Sequence, residues 1–161
     1  MSLELASAAL TAYLFASALG VLAGGFIADW TKRHGLVATF GFIAAASMML
    51  LIGNGVFQAY MLVGAMMVTG LLTGMIMPSR DMLVRAAAPP GQAGAVFGIV
   101  STGFNIGGMV GPPLFGWLLE AGKPRMIFIT SAGFMLLTAV MAIGQEWRLA
   151  RRRRAALTAA E

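Results

Sequence analysis

Long runs of apolar residues, separated by short polar connections, dominate this chain. No Asp, Glu, Lys or Arg occurs from Gly35 to Ser79 or from Ala86 to Leu119. A bilayer core of about 30 Å requires roughly 20 apolar residues of helix. Lipid offers backbone groups no hydrogen-bond partners, which excludes open strands, and the strict alternation of a barrel strand is absent. The sequence therefore predicts five membrane-spanning helices, at about residues 5–28, 36–53, 56–77, 93–119 and 126–145.

The basic residues fall in the connections between these spans and predict their orientation. If alternate connections share a side, the positive-inside rule places the more basic side in the cytoplasm. The N-terminus is then outside and the C-terminus inside, with a transmembrane region over residues 1–145 and a basic cytoplasmic tail over residues 146–161. Nine basic residues lie on the cytoplasmic side and two, Lys123 and Arg125, on the other; the nine are Lys32, Arg33, Arg80, Arg85, Arg148 and Arg151 to Arg154.

Composition agrees with a membrane protein and excludes several other classes. Apolar residues make up 59% of the chain and charged residues 11%, against roughly 45–50% and about 25% in soluble domains. A soluble enzyme, a disordered chain and a nucleic-acid-binding domain are poor fits, despite a net charge of +5. The chain has no cysteine and a single histidine, His34. With no nucleophile–base or metal-ligand constellation, we expect no enzyme activity, no metal and no cofactor.

Small residues recur at regular spacing in two of the spans. Residues four apart share one stripe of a helix, and a small stripe allows close helix packing in lipid. Such packing is either static or a surface on which helices move during transport. The proline pair that follows the second set predicts a bend or break, which either lines a cavity or serves packing. The first set is Ala8, Ala12, Ala16, Gly20, Gly24 and Ala28; the second is Gly98, Gly103, Gly107 and Gly111, followed by Pro112 and Pro113.

Few polar side chains lie within the spans, and these are the candidates for a transport cavity: Asn105, Thr102, Thr69, Thr73 and Tyr13. Polar groups at membrane depth face the bundle interior or a water-filled cavity. Asn105 is the leading candidate for substrate contact, with an interhelical hydrogen bond as the alternative. Threonines in helices commonly bond to their own backbone. No ionisable residue lies within a predicted span, so this chain alone offers no group at membrane depth to carry a coupling proton or ion.

Charged residues at the predicted cytoplasmic ends form a candidate latch. We expect the third span to end at Pro78, which leaves Asp81 in a loop. Asp81 and Arg85 are four residues apart and suited to pair on a short helix. Asp29 is expected to reach Arg80 or Arg85 when this side is closed; the alternative is a set of solvated positive-inside charges. The candidate latch residues are Asp29, Lys32, Arg33, Arg80, Asp81 and Arg85.

The connection after the first span resembles the signature G-x-L-A-D-R-x-G-R-K/R of the major facilitator superfamily. Trp30 replaces a basic residue of the signature and Lys32 replaces a glycine, whereas four positions match: Gly25, Ala28, Asp29 and Arg33. In the fourth span, Gly98, Gly107 and Gly111-Pro112 are similar to the glycine-proline pattern of the superfamily's antiporter branch. That pattern belongs to the fifth helix, and a related version occurs in the eleventh.

The resemblance implies an all-α polytopic membrane protein in which two six-helix bundles rock around a midplane site. The five helices would form most of one bundle and match helices two to six or eight to twelve. The span at residues 56–77 lacks an arginine and the chain ends in a short basic tail, which favours helices eight to twelve. Residues 78–108 resemble the second half of fosmidomycin-resistance-like exporters. The resemblance also gives Asp29 and Arg33 the role of a latch that favours the outward-facing state.

Three hypotheses for function follow from these features. The leading one is the C-terminal part of a drug or metabolite exporter in a bacterial inner membrane, inactive without its N-terminal bundle. The second is a non-transporting membrane protein, either a remnant or an interaction and assembly subunit. The third is a small transporter that completes itself by dimerising. The expected partners are the lipid bilayer, the missing bundle or another membrane chain, and a small-molecule substrate, with no nucleic acid.

Overall fold

The computed structural model describes residues 3–31 and 33–158, and this part of the chain folds into five helices without strands. Each helix is long and apolar enough to cross a membrane, which confirms the predicted all-α fold class. Three connections contain a glycine with positive φ, at Gly55, Gly91 and Gly122, a backbone conformation that other residues rarely adopt. The helices are α1 (Leu3–Trp30), α2 (His34–Gly53), α3 (Ala59–Ala87), α4 (Ala93–Glu120) and α5 (Pro124–Thr158).

The helix α3 does not end at Pro78, as the sequence predicted, but continues to Ala87. It also begins at Ala59, a few residues later than the predicted start. Proline removes a single backbone hydrogen bond, and in a helix bundle packing on either side can offset that loss. Here Ile76 precedes the proline and Leu83 follows it, and both belong to one buried cluster. Asp81 therefore lies on a helix and not in a loop.

Two further helices continue beyond the points where the sequence suggested an end. The helix α4 runs unbroken through Pro112 and Pro113, so the proline pair does not divide it. The helix α5 continues past Gln145 to Thr158, so most of the predicted tail is helical. Alanine, leucine and arginine are strong helix formers, and they dominate that segment. Residues 159–161 of the predicted tail lie outside the described residues.

The helices α1 and α3 run parallel with their backbones in contact. A Cβ atom added at Gly74 would lie 2.1 Å from the carbonyl oxygen of Ser17, and one at Gly20 would lie 2.3 Å from that of Leu71. Real Cβ atoms essentially never approach other atoms within 3.0 Å. Only glycine is therefore compatible with this separation of the two helices.

Two glycine pairs, each spaced by four residues, interlock across this contact. Gly24 approaches Met75 and Gly70 approaches Tyr13, one turn from the contacts of Gly20 and Gly74. Close approach of this kind is how helices associate in lipid, where no hydrophobic force draws them together. Four members of the predicted stripe in α1 are buried: Ala16, Gly20, Gly24 and Ala28. Ala8 is exposed, and its neighbour Ala9 is buried instead.

The helices α2 and α5 form a second pair, which runs antiparallel. Gly35 at the start of α2 lies against Glu146 near the end of the apolar part of α5, and Gly53 at the end of α2 lies against Phe128. The two pairs join through a buried cluster from α2, α3 and α5, made of Ala38, Ile76, Leu83 and Ala142 with Phe42 packed against it.

This arrangement brings one set of helix ends together, at what we call the basic end of the bundle. It contains the C-terminal ends of α1 and α3, the N-terminal ends of α2 and α4, and the part of α5 that follows Gln145. At the opposite end, Arg125 donates a hydrogen bond through Nη2 to Asn54 Oδ1. The connections predicted to share a side of the membrane therefore do lie at the same end of the bundle.

The helix α4 is the most exposed of the five described helices. Within Ala93–Glu120, only Leu118 is buried. A Cβ atom at Gly98, Gly103 or Gly107 would meet nothing within 4 Å, and one at Gly111 would meet only Phe115 of the same helix. The packing role predicted for these glycines is therefore not realised among the described helices and stays a prediction.

Candidate functional site

The candidate latch residues that the structure describes lie at the basic end, at or next to the ends of three helices. Asp29 lies in the last turn of α1 and Arg33 precedes α2, and both are exposed. Within the part of the chain that the structure describes, neither forms an ion pair. Lys32 lies outside the described residues. The predicted contact from Asp29 to the arginines of α3 is therefore not made in this conformation.

Asp81 pairs with Arg80, its neighbour in sequence, and not with Arg85. Nε and Nη2 of Arg80 both donate hydrogen bonds to Asp81 Oδ1, at 3.0 and 2.8 Å. The Arg80 guanidinium also lies 4.4 Å from the centre of the Phe104 ring of α4. The ring holds the guanidinium beside Asp81, while Arg85, one turn on, is exposed. The side chains of the pair are 27% and 49% exposed, so the pair itself contributes only about 0–1 kcal/mol.

Asp81 and Arg85 nevertheless share an environment. Both line a cavity of about 460 Å³ between the end of α3 and the start of α4, together with Pro78 and Phe97. A carboxylate and a guanidinium at the mouth of a gap between two helices are able to form or exchange ion pairs as the gap closes. The candidate latch residues Asp81 and Arg85 therefore both lie where the end of α3 meets the start of α4.

Three of the candidate cavity residues contact the protein itself. Tyr13 of α1 and Thr73 of α3 have their hydroxyl oxygens 3.2 Å apart, which links the two helices. Thr73 also donates to its own helix, at Thr69 O and Gly70 O. Thr69 is fully buried and donates to Ala65 O. Tyr13 and Thr73 thus link α1 to α3, whereas Thr69 is buried and bonded within α3.

The two candidates on α4 have a different environment. Thr102 donates a hydrogen bond to Gly98 O of its own helix and is exposed. Asn105 is exposed, and among the described residues it has no hydrogen-bond partner. The interhelical bond considered from the sequence is therefore not formed here. Asn105 remains available to a ligand or to another helix.

The sequence interpretation missed the role of Glu146. Its Oε2 accepts a hydrogen bond of 3.1 Å from the backbone N–H of Gly35, in the first turn of α2. A carboxylate at a helix N-terminus satisfies a free N–H group and interacts favourably with the helix dipole. Thr39 adds a second link to α5, since its hydroxyl lies 3.4 Å from Ala139 O. Only the antiparallel packing of α2 on α5 brings these groups together, and no local motif predicts it.

The described geometry defines a polytopic α-helical membrane protein with its charge gathered at one end. Comparison with known proteins identifies the family: residues 1–159 match the Major Facilitator Superfamily, and the chain belongs to this family of membrane transporters. It is similar to the "Multi-drug resistance efflux pump PmrA" of Streptococcus pneumoniae serotype 4, with 26% identity over 143 residues. The protein of that name from strain R6 of the same species matches equally well.

These relatives are much longer than the chain. The matched region covers 88% of the chain but only 33% of each relative. No solved structure matches the chain.

In the described residues, no group of three or more His, Cys, Asp or Glu side chains is placed to hold a metal ion. The site is therefore one of helix surfaces and helix-end charges.

Proposed function

We propose that the chain is the C-terminal part, helices eight to twelve, of a transporter that exports drugs or metabolites by alternating access from a bacterial inner membrane. The membership in the Major Facilitator Superfamily and the similarity to a multidrug efflux pump support a transporter of this kind. The observation that carries the proposal is the open surface of α4, with its glycines and Asn105 uncovered. A helix of this composition requires another helix at close range.

In the complete transporter, the substrate site would lie at the junction of the two bundles. Asn105 and Thr102 would face it from α4, whereas Tyr13 and Thr73 link α1 to α3 and Thr69 is bonded within α3. Asp29, Lys32, Arg33, Arg80, Asp81 and Arg85 would act as the cytoplasmic latch. The chain alone would bind its substrate weakly and would not complete the cycle, because one half of the cavity is formed by the other bundle.

A transport assay tests this proposal. The chain alone, and the chain with the coding region that precedes it, are expressed in a drug-sensitive bacterial host. Accumulation of a panel of fluorescent drugs is then measured. We expect the longer product to lower accumulation of at least one drug and the chain alone to have no effect. Export by the chain alone would overturn the proposal, as would a longer product that exports nothing although it reaches the membrane.

The alternative is an interaction or assembly subunit that does not transport. The same open face of α4 favours it, since another membrane chain would cover that face equally well. Crosslinking distinguishes the two functions. A photoreactive residue placed at Gly103 would attach to a helix of the N-terminal bundle in a transporter, and to a different membrane protein in an assembly subunit.

A further inference from the structure

A cavity of about 610 Å³ lies between four helices at the basic end of the bundle. Ala38 and Phe42 line it from α2, Leu83 from α3 and Val100 from α4, and the remaining wall is a stretch of α5. That stretch extends from Thr138 to Arg148, which corresponds to about 15 Å along the helix axis. The cavity therefore reaches from the end of the bundle into the apolar part of the helices.

Two arginines, Arg80 and Arg148, line this cavity, and none of its lining residues is acidic. Arg80 donates from Nε and Nη2 to Asp81, which leaves its other N–H groups unused by that pair. Arg148 has no partner among the described residues. The nearest carboxylate in sequence, Glu146, is bonded to the backbone of Gly35. The cavity thus has a positive charge that the surrounding protein only partly neutralises.

The rest of the wall is almost entirely apolar. Apart from the arginines, only Thr138 and Gln145 among its lining residues carry polar side chains. Thr138 uses its hydroxyl to donate to Phe134 O of its own helix. A purely ionic ligand would leave the apolar wall unused, whereas a neutral hydrocarbon would leave the arginines unused. The cavity fits a molecule with an anionic group at one end and an apolar portion at the other.

We propose that this cavity binds the phosphate of an amphipathic phosphate ester between Arg80 and Arg148, with its apolar portion along α5. Guanidinium groups bind phosphate oxygens through paired N–H donors, more specifically than a lysine ammonium. Basic pockets between transmembrane helices are suited to phospholipid headgroups. The ligand comes either from the membrane, as an anionic phospholipid, or from solution, as a soluble phosphate ester. The site differs from the proposed substrate contacts Thr102 and Asn105, neither of which lines this cavity.

The test uses the 161-residue chain, purified in neutral detergent and also reconstituted in nanodiscs of phosphatidylcholine. Binding of fluorescent phosphatidylglycerol is measured in the nanodiscs, and binding of hexyl phosphate, a soluble phosphate ester with a short apolar chain, is measured in the detergent. We expect Arg148→Gln to weaken binding about tenfold, the loss of one charge-assisted contact. We expect Arg148→Lys to weaken it less, because lysine keeps the charge but not the paired donors.

The matched control is Arg151→Gln, which removes the same charge from α5 at a residue that does not line the cavity. It should change affinity less than twofold. Arg80→Gln should act like Arg148→Gln, with helical content measured because this variant also loses the contact with Asp81. Arginine-dependent binding of phosphatidylglycerol alone would identify the membrane as the source, and such binding of hexyl phosphate would identify a soluble ligand. Equal losses in Arg148→Gln and Arg151→Gln, or no binding of either probe, would overturn the proposal.

Discussion

At the scale of single residues, some charged side chains at the basic end form ion pairs or ring contacts, and others are exposed without an ion pair among the described residues. Arg80 is bonded to Asp81 and stacked on Phe104, whereas Asp29 and Arg33 are exposed. A latch requires such an asymmetry, because a residue already paired within its own bundle has little to gain from a new partner. In the proposed latch, Asp29 is therefore a candidate residue that is available for a new contact.

Replacement of Asp29 by asparagine tests the proposed latch, in the longer transporter of which we propose the chain is a part. Asparagine keeps the size and one acceptor oxygen but removes the charge. If the contact contributes about 1 kcal/mol to the outward-facing state, the ratio of the two states shifts about fivefold. We expect a several-fold lower export rate, measured by drug accumulation. The control is Glu120→Gln, which removes a carboxylate at the opposite end; equal effects of the two variants would argue against a latch at Asp29.

Glu146 has a structural role that can be measured in the chain itself. We expect Glu146→Ala to lower the free energy of unfolding by about 1–3 kcal/mol, because the Gly35 N–H loses a charged acceptor. Glu146→Gln should cost about 0.3–1 kcal/mol, the contribution of the charge at a helix N-terminus. Reversible unfolding in mixed micelles gives both values.

Glu120→Ala provides the comparison for Glu146→Ala. Glu120 is exposed at the end of α4 and has no hydrogen-bond partner among the described residues. Its replacement should leave the unfolding free energy within about 0.5 kcal/mol of the original. If the Glu146 variants were as stable as Glu120→Ala, the carboxylate would not hold α2 to α5.

At the scale of helices, the fold depends on how closely α1 and α3 approach. Gly74→Ala would place a Cβ atom 2.1 Å from the Ser17 carbonyl oxygen, a backbone atom that cannot move aside alone. We expect the helices to separate, with a loss of about 1–3 kcal/mol in unfolding free energy, the usual effect of overpacking. Unfolding in mixed micelles measures the loss.

The same helix offers a matched control at Gly64. A Cβ atom there would meet nothing within 4 Å, so Gly64→Ala adds helix propensity without a clash and should stabilise by about 0.5–1 kcal/mol. Opposite signs for the two substitutions are the expected signature of the α1–α3 contact. A stabilised Gly74→Ala variant would show that the two backbones are farther apart than the structure places them.

The sequence predicted the helices better than it predicted their ends and contacts. Apolar runs and the spacing of small residues are local signals in the sequence. They were therefore enough to predict five helices and a glycine-containing packing surface on α1. The continuation of α3 beyond Pro78 could not be predicted in this way, because it depends on the packing of Leu83 in a cluster formed by three helices. The contact of Arg80 with the Phe104 ring likewise joins two different helices, and no local signal in the sequence predicts it.

At the scale of the whole molecule, the two helix pairs pack against each other and α4 is the most exposed of the five described helices. The pair α1–α3 and the pair α2–α5 meet in the cluster around Ile76, whereas the contacts of α4 include its first turns and Phe104. The chain spans about a third of the length of the relatives that it matches. In the proposed transporter, further helices would cover the exposed surface of α4, and this sequence does not predict their residues.

The orientation in the membrane is the property on which the latch and the phosphate site both depend. Nine of the 11 basic residues lie on the predicted cytoplasmic side, and the antiparallel packing of α2 on α5 requires Gly55 and the end of α5 to lie at opposite ends of the bundle. By the positive-inside rule, alkaline phosphatase fused after Glu161 should be inactive, and fused at Gly55 it should be active. A green fluorescent protein at the same two positions should give the reverse result, because it folds in the cytoplasm. The opposite pattern would place the arginines of the basic end outside the cell, where neither a cytoplasmic latch nor an inner-leaflet phospholipid site is possible.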